Sequence, residues 1–340
     1  MLRTFKYAFT QAKIYGIMAK SYLGENYREL LRFKRVTDLY DHLFPGEHER
    51  LSENLLTSEL QKRIIAKNIR IVIGLLDLLQ EPSPLLTHML RKYECLNLKS
   101  LLHYLKEPDV SIPVFVDLGE YRSIDLRGEG PGAQSDRAAL KQLIAESPYR
   151  WLLPFLDGEP IFKLENRLDL DYYQRLWTMA QELPAKDRRG VTKLLSQEIT
   201  LQNIIWAFRL RFFYQLDGDQ AAEYLLPQEV DTHRAEVMKI FELPADRSQE
   251  WSRWKFAALV QDQLSADMEG IDPVRVENKA LFIVFRRARL LFHQDLFTLT
   301  PLVSFIKLKE LEARILLSLI EGIRLGIPEE EILAVTGGQR

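Results

Sequence analysis

The sequence predicts an all-α protein built from three similar helical units. Almost every segment has the spacing of apolar residues that is typical of helices, and strand-like alternation is confined to the short stretch Ile112–Leu118. A weak motif also occurs three times, at intervals of roughly a hundred residues, each time on a long helical pattern. The motif segments are Leu90–Leu102, Leu195–Phe208 and Ile306–Leu319. One helical unit used three times indicates either a pseudo-threefold arrangement or a stack.

Each motif places a polar residue three positions before the start of an apolar run. The three pairs are Glu94 with Asn97, Thr200 with Asn203, and Glu312 with Ile315. An acid–base role for Glu94 with Asn97, or for Glu310 with Glu312, is the alternative, but an enzyme rarely needs its catalytic pair in every repeat. We therefore interpret the motif as structural, because a polar side chain at a helix crossing can hydrogen-bond the neighbouring chain and fix its register.

Helix starts are marked by a capping oxygen placed before a proline. Such a pair satisfies free N–H groups, and the proline costs little because its missing N–H would have no partner there. The pairs are Ser83-Pro84, Ser147-Pro148, Asp272-Pro273 and Thr300-Pro301. Gly326 ends the helix that begins at Pro301, and Pro328 starts another with Glu329–Glu331 in its first turn, where the helix dipole favours anions. A further helix spans about Leu51–Leu79, and its second half is apolar on more than one face, which predicts burial.

Polar stretches that contain glycine or proline predict the loops and the unit boundaries. The loops are Pro45–Glu49, Pro108–Ile112, Arg122–Ser135, Asp217–Asp219 and Leu264–Asp272. Arg122–Ser135, the longest, is the expected boundary between the first and second units, and Pro227–Thr232 is the expected second boundary. The predicted repeat units are residues 1–125, 136–228 and 233–340.

Composition indicates a globular protein without a strong overall electrostatic field. Of 340 residues, 46% are apolar and 28% are charged, and the formal net charge is −2, so the chain as a whole attracts neither nucleic acid nor anionic lipid. The single cysteine, Cys95, is interpreted as a small buried hydrophobe. Because one cysteine cannot form a disulfide within the chain, the composition favours a reducing compartment. The first residues show no signal-peptide pattern. No uninterrupted apolar run exceeds six residues, as at Ile71–Leu76, whereas a membrane span needs about 20. We therefore expect a chain that does not span a membrane but can dock on a protein that does.

Candidate sites for cofactors and metals have simpler structural interpretations. No phosphate-binding loop is present, and the glycines of Gly128–Gly132 follow no convincing strand, so we interpret them as a flexible connection. None of the six histidines has a metal-ligand spacing. Asp169 and Asp171 lie two apart on a helix and point about 200° apart, which favours a capping role over metal binding.

The motif segments resemble a known family. Leu90–Leu102 is similar to that family's acidic-x-x-Asn-Leu signature, with Glu94 and Asn97 at the matching positions. Asp169–Phe213 is similar to its second unit and Glu277–Ile332 to its third. The family is that of the C subunit of the archaeal and bacterial V-type (A/V-type) ATPases, equivalent to the d subunit of eukaryotic vacuolar enzymes, and the resemblance covers essentially the whole chain.

The resemblance implies three helical units arranged as a pseudo-threefold funnel. It implies a non-catalytic central-stalk subunit on the cytoplasmic face of the membrane, which sits on the proteolipid rotor ring and receives the end of the central axle. Such a peripheral subunit binds no nucleotide or other cofactor and associates with the membrane only through the ring. It transmits torque between ATP hydrolysis or synthesis and the transport of protons or sodium ions. Two positions depart from the pattern: Thr200 stands where the family often has an acid, and Ile315 where it often has Asn.

Arginine and tryptophan side chains are the candidate partner contacts, because they supply contact area and directed hydrogen bonds. The candidates are Arg209, Arg211, Trp251, Trp254, Arg286 and Arg287, with packing inside the chain as the alternative for each. Neighbouring acids and the near-neutral net charge argue against nucleic acid as the partner of these arginines. Two other functions stay open, namely an unrelated α-helical scaffold that stacks the three units and an all-α metal-dependent enzyme. We predict no catalytic, cofactor or metal residue.

Overall fold

The fold consists of helices throughout the residues that can be described. The computed structural model describes residues 2–46, 52–79, 81–107, 115–126, 137–244, 246–264 and 271–336. Within these ranges there are α-helices and short 3-10 helices and no β-strand, so the all-α prediction is confirmed. Residues 115–118, the described part of the stretch with strand-like alternation, are irregular.

The helices follow the chain with short connections. The α-helices are α1 (Leu2–Met18), α2 (Glu25–Leu30), α3 (Val36–Leu43), α4 (Glu53–Leu76), α5 (Pro84–Lys106), α6 (Arg137–Ala145), α7 (Ile161–Gln181), α8 (Ala185–Phe212), α9 (Gly218–Ala221), α10 (Arg234–Glu242), α11 (Ser248–Ser252), α12 (Pro273–Phe292), α13 (Thr300–Arg324) and α14 (Glu329–Thr336). The 3-10 helices are Gly119–Tyr121, Arg150–Phe155, Ala222–Tyr224, Ala257–Leu259 and Gln261–Gln263.

The chain divides into two compact units. The large unit comprises residues 1–68 and 183–340, and the small unit comprises residues 69–182. One boundary therefore falls inside α4, and the other falls just before α8. The division into three similar repeats at 1–125, 136–228 and 233–340, and their arrangement as a funnel, remain predictions about internal similarity and shape.

The small unit is built around α5 and α7, which pack along each other. Apolar residues of α5 spaced by three and four form one stripe that faces the core, as expected for an amphipathic helix. The core is completed by residues from the segment before α6, from α6, from the 3-10 helix Arg150–Phe155 and the residues beside it, and from α7. Its buried members are Leu98, Leu101, Leu102, Tyr104, Ile124, Leu126, Leu140, Ile144, Tyr149, Leu152, Leu156, Leu164 and Leu168.

The large unit is built around α8, α12 and α13, which pack against one another, with α10 on α8. Most of α13 between Thr300 and Ile320 is buried, including two lysines. Helices α8 and α13 approach closely where Gly190 meets Thr300, since a β-carbon at position 190 would lie 2.3 Å from the Thr300 Oγ1. Only a glycine permits this approach.

Some helix ends agree with the sequence and others do not: Ser83 precedes α5 but its side chain makes no capping hydrogen bond, and the cap position of α13 is Leu299 instead of the predicted Thr300. The Asp272 carboxylate accepts from the N–H of Val274 at 2.9 Å, as expected for a cap, and Gly326 ends α13 with φ +66°. The predicted α-helix start at Ser147-Pro148 is wrong. The Ser147 hydroxyl donates to the carbonyl of Ile144 and accepts from the N–H of Tyr149, which makes a turn that leads into a 3-10 helix. The predicted loop Asp217–Asp219 instead starts α9, because the Asp217 side chain forms a capping box with Gln220.

Candidate functional site

Three buried polar clusters surround the motif residues, and we refer to them as nodes 1, 2 and 3. Node 1 comprises Glu94, Asn97 and the main chain that they bind in the small unit. Node 2 comprises Thr200, Asn203, Asp231 and their main-chain partners in the large unit. Node 3 comprises Glu312, Lys309 and Tyr22, also in the large unit.

Node 1 joins helix α5 to the loop that follows it. The Asn97 amide donates to the carbonyl of Val116 at 2.8 Å and accepts from the N–H of the same residue at 2.8 Å. The side chain thus satisfies both main-chain groups of Val116, as a neighbouring strand would.

The Glu94 carboxylate is the centre of node 1 and is only 1% exposed. It accepts from the N–H groups of Ser123 at 2.6 Å and Ile124 at 3.2 Å, and from the Ser123 hydroxyl. It also accepts from the Tyr149 hydroxyl at 2.8 Å and pairs with Arg91 at 3.0 Å. A buried carboxylate with this many donors is well satisfied, so its role is to hold the loop in place.

The surroundings of Glu94 keep two neighbouring groups neutral. Burial, together with the charge of Glu94, raises the pKa of the Tyr149 hydroxyl well above its ordinary value. Burial raises the pKa of the Cys95 thiol to about 12, so Cys95 stays a thiol at physiological pH. Cys95 is buried and free, as predicted.

Node 2 joins α8 to its following loop with the same amide geometry. The Asn203 side chain accepts from the N–H of Leu226 at 2.9 Å and donates to the carbonyl of Leu226 at 3.2 Å. Asn97 and Asn203 therefore each bind both main-chain groups of one residue, which lies 19 and 23 positions further along the chain, respectively. The second amide hydrogen of Asn203 goes to the Asp231 carboxylate at 2.8 Å.

The carboxylate of node 2 comes from the loop instead of the helix. Asp231 is 0% exposed and accepts from the Thr200 hydroxyl at 2.7 Å and from the N–H of His233 at 3.0 Å. The sequence analysis did not identify Asp231. Its signal was indirect: Thr200 stands where an acid is expected, and an aspartate follows in the boundary stretch Pro227–Thr232.

Node 3 joins α13 to a segment near the beginning of the chain. The Glu312 carboxylate, 3% exposed, accepts from the N–H of Tyr22 at 2.7 Å, across 290 positions of sequence. It also forms an ion pair with Lys309, one turn earlier on α13. Burial, followed by the charge of Glu312, raises the pKa of the Tyr22 hydroxyl. Ile315 is buried and apolar, so this node has no amide of the kind seen at Asn97 and Asn203.

A second charged group on α13 lies deeper in the large unit. Lys307, with 3% of its side chain exposed, binds the carboxylates of Glu198 at 2.9 Å and Glu310 at 3.3 Å. Glu310 therefore has a structural partner, consistent with our interpretation that Glu310 and Glu312 are not an acid–base pair.

The predicted partner contacts differ in accessibility. Arg209 forms an ion pair with Glu277, which also binds Arg314 at 2.7 Å. Arg211 donates to the carbonyl of Ile240, and burial lowers its pKa. Both guanidinium groups thus have partners inside the large unit.

Trp251 and Trp254 lie in the aromatic core of the large unit. Their side chains are 0% and 5% exposed, and their ring centroids lie 5.7 Å and 6.0 Å from that of Phe208. Their indole N–H groups donate to the carbonyls of Pro244 and Glu236, each at 2.9 Å. Because the other residues of the large unit already cover these rings, a partner cannot contact them directly, and the prediction that they are partner contacts is not retained.

Arg286 and Arg287 lie on adjacent faces of α12. Arg286 is exposed, whereas Arg287 is half-buried and donates to the Gln197 side chain at 2.7 Å. Among the six candidates, Arg286 is therefore the one whose side chain is best placed to meet a partner.

The acidic and histidine residues form no metal site among the residues that the structure describes. Asp169 pairs with Lys99 at 2.7 Å, and Asp171 pairs with Arg175 at 2.8 Å. Both lie in the interior of α7, so the capping role predicted for them is wrong. The glycines at Gly128–Gly132 lie outside the described residues. No helix in the described ranges is long and apolar enough to cross a membrane.

Comparison with known proteins identifies the family. The family model described as "ATP synthase (C/AC39) subunit" matches residues 10–335. This chain therefore belongs to the ATP synthase (C/AC39) subunit family, and the resemblance to the C subunit of V-type (A/V-type) ATPases is confirmed. Members of this family are subunits of an ATP synthase, so the partners of the chain lie within that complex.

Two of the relatives match this chain over nearly its full length, and a third matches it over about 70% of its length. An "Uncharacterized protein" of Treponema pallidum (strain Nichols) is 26% identical over 330 residues, which cover 94% of this chain and 92% of the relative. The A-type ATP synthase C subunit of Methanosarcina mazei is 21% identical over 335 residues, which cover 96% and 91%. The protein of the same description from Methanosarcina barkeri is 23% identical over 250 residues, 72% and 67% of the two chains.

Proposed function

We propose that the chain is the central-stalk adapter of an A/V-type rotary ATPase. In this role it links the central axle to the proteolipid ring on the cytoplasmic side of the membrane and transmits torque between them. It performs no catalysis and binds no cofactor itself. The observation that carries the proposal is the family match over residues 10–335.

A torque adapter must resist shear between its parts. Long helices that pack over large areas supply such stiffness, because protein interiors are close-packed and deform little. The nodes add directed bonds at the points where a helix meets a loop that could otherwise slide. Glu94 alone fixes two N–H groups of its loop, and Asn203 fixes both main-chain groups of Leu226. This arrangement favours a mechanical role.

The proposed partners can be tested by recovery from native membranes. The tagged chain is purified from gently solubilised membranes, and the proteins that accompany it are identified by mass spectrometry. We expect the proteolipid together with the axle and catalytic subunits of a rotary ATPase. Recovery of the chain without them, from cells that express that ATPase, would contradict the proposal and favour a free-standing helical scaffold.

Arg286 and Arg287 are the proposed contact residues on the large unit. The double change Arg286→Glu/Arg287→Glu should uncouple ATP hydrolysis from ion pumping in an assembled complex if this face meets a rotor partner. Because Arg287 also bonds Gln197, the single change Arg286→Glu separates contact from folding. The matched control reverses two exposed lysines elsewhere in the large unit, Lys20→Glu/Lys34→Glu. Unchanged coupling in the assembled Arg286→Glu variant would remove this residue as a contact.

A further inference from the structure

One end of the large unit carries a stripe of basic side chains. Lys186, Arg189 and Lys193 are all exposed on the first turns of α8. Their spacing of three and four residues places them on one face of the helix. The positive end of the helix dipole lies here and disfavours cations, so the stripe is not explained by helix stability.

Exposed apolar side chains lie at the end of α12 and in the turn after it. Leu290 is 51% exposed, Leu296 is 46% exposed and Phe297 is 43% exposed. Single exposed apolar residues are common on protein surfaces, but three within eight positions of sequence form a local patch.

Direct contacts place this turn beside the basic stripe. The Asp187 carboxylate accepts from the N–H of Leu299 at 3.0 Å, and Gly190 lies against the side chain of Thr300. Both α8 residues lie between or beside members of the stripe. The apolar turn therefore packs beside the helical turns that carry the basic stripe, and we call the two together the basic–apolar face.

The turn holds Phe297 in a conformation that aromatic residues rarely adopt. Phe297 has φ +62° and Asp295 has φ +49°, both in the left-handed region. The N–H of Phe297 donates to the Gln11 side chain at 2.9 Å, and the Thr298 hydroxyl donates to the carbonyl of Asp295. These bonds fix the turn while the Phe297 side chain remains accessible.

The charge of this face is one-sided. Asp187 is 5% exposed and faces inward, so its charge is used inside the unit. Among residues 185–193 and 286–297, the exposed acid is Asp295. The exposed basic residues in the same ranges are Lys186, Arg188, Arg189, Lys193, Arg286 and Arg289. A chain with a net charge of −2 thus concentrates positive charge here.

We propose that the basic–apolar face docks on a bilayer surface that contains anionic phospholipids. Lysine and arginine side chains would bind the lipid phosphates, while Leu290, Leu296 and Phe297 would reach the boundary between head groups and acyl chains. Basic residues beside exposed leucine and phenylalanine favour a membrane surface over an acidic protein surface. This inference goes beyond the proposed function, in which attachment to the membrane runs through the ring.

Vesicle co-sedimentation of the purified chain tests the lipid contact. The probes are vesicles of phosphatidylcholine mixed with phosphatidylglycerol and vesicles of phosphatidylcholine alone. We expect binding to the mixed vesicles, weakened by added salt because exposed charges are screened. Lys186→Gln/Arg189→Gln/Lys193→Gln should weaken it about 100-fold, since each basic residue near an anionic surface contributes about fivefold. Phe297→Ser should weaken it without changing the salt dependence.

A matched control keeps the number of lost charges constant. Lys20, Arg32 and Lys34 are exposed in the same unit, near the contact between Tyr22 and Glu312. Glu312 lies twelve residues beyond Thr300 on α13, a distance of about 18 Å. The variant Lys20→Gln/Arg32→Gln/Lys34→Gln should bind mixed vesicles like the unchanged chain, and thermal unfolding should confirm that both triple variants are folded.

Three results would overturn the lipid contact. They are no binding of the unchanged chain to mixed vesicles, equal binding to both vesicle types, and equal losses in the two triple variants. None of them bears on the recovery of ATPase subunits from native membranes, so failure of this inference is distinguishable from failure of the proposed function. Arg286, the proposed rotor contact, is unchanged in every lipid-binding variant.

Discussion

Nodes 1 and 2 both attach a loop to the helix before it, but the buried carboxylate lies on different elements in the two nodes. In node 1 the carboxylate belongs to the helix, as Glu94, and the loop supplies N–H and hydroxyl donors. In node 2 the helix supplies a hydroxyl, from Thr200, and the loop supplies the carboxylate, as Asp231. The asparagine three positions later binds one loop residue through both main-chain groups in each case.

In both nodes a buried carboxylate lies at the junction, and it belongs to the helix in one and to the loop in the other. When water is excluded, a carboxylate accepts from several donors at once and binds them more strongly than a hydroxyl does. Either side of the junction can provide it. An acid missing from the helix position therefore indicates that an acid is to be sought in the following loop.

Node 3 differs from both, because its helix carries the acid but the partner of that acid is distant in the sequence. Glu312 binds the N–H of Tyr22, near the beginning of the chain, in place of a following loop. Residues 22 and 312 thus meet within the large unit, and Lys309 pairs with Glu312 from three positions earlier on the helix, as Arg91 pairs with Glu94 in node 1.

The largest effect is expected from removal of the helix carboxylate in node 1. Glu94→Ala leaves two N–H groups and two hydroxyls without their buried acceptor, which should cost about 3–5 kcal/mol of unfolding free energy. Urea unfolding measures the loss, and hydrogen exchange of residues 115–126 locates it. Glu146→Gln, an exposed change in the same unit, is the control. Equal stability of the two variants would show that node 1 does not hold the loop.

Removal of the loop carboxylate in node 2 should have a slightly smaller effect. Asp231→Ala deprives Thr200, Asn203 and His233 of one acceptor each, and we expect a loss of about 3 kcal/mol. Urea unfolding of the variant is compared with that of Asp246→Ala, an exposed aspartate of the same unit. A cost no larger than that of the control would mean that the loop acid is not the counterpart of Glu94.

The two asparagines should differ according to their burial. Asn203 is 0% exposed and makes three hydrogen bonds, whereas Asn97 is 8% exposed and makes two. We expect Asn203→Ala to cost about 2–3 kcal/mol and Asn97→Ala about 1–2 kcal/mol. Chemical unfolding ranks the two variants. A larger loss of unfolding free energy for Asn97→Ala than for Asn203→Ala would contradict this account, in which both amides hold one loop residue and the more buried amide contributes more.

The contact between His88 on α5 and Tyr172 should make the stability of the fold depend on pH. His88 stacks on Tyr172 with ring centroids 5.1 Å apart, and its Nε2 lies 2.9 Å from the Tyr172 carbonyl, to which the neutral ring donates. Burial lowers the pKa of His88 below its ordinary value of about 6.5. The unfolded chain therefore binds a proton more readily than the folded chain as pH falls below about 6.5, and stability is lost there.

Replacement of His88 should flatten this part of the stability profile. His88→Gln should remove a slope that approaches about 1.4 kcal/mol per pH unit between the ordinary pKa and the lowered one. Urea unfolding at several pH values measures it. His103→Gln, on the same helix with 44% of its side chain exposed, is the control. An unchanged slope in His88→Gln would place the acid sensitivity elsewhere.

Local sequence signals predicted the helices and the helix residues of each node, but not the residues that those side chains bind. The N-cap at Asp272 and the helix end at Gly326 depend only on residues that are close in sequence, so they can be predicted from the sequence. The helix residues of the nodes were visible because they recur. Asp231 and Tyr22 were missed because their roles depend on which loop the fold brings to the helix, and for Tyr22 that partner lies 290 positions away.

For the two tryptophan candidates, the composition of the surrounding sequence wrongly indicates exposure to solvent. Trp251 and Trp254 stand among charged and polar residues in the sequence, which is typical of an exposed segment. Folding instead buries both rings against Phe208 and satisfies both indole N–H groups with carbonyls. No periodic pattern in this short segment could reveal that, because its helix has only five residues.

A double-mutant cycle across node 2 tests most directly whether one carboxylate role can occupy two positions. Thr200→Glu alone places two carboxylates together, and Asp231→Ser alone removes the acceptor, so each should destabilise the chain. The combined variant moves the carboxylate to the helix, as in node 1. We predict that the combined variant loses less unfolding free energy than the two single variants lose together. The difference should be at least about 1 kcal/mol in urea unfolding. Additive losses would contradict the equivalence of the two nodes.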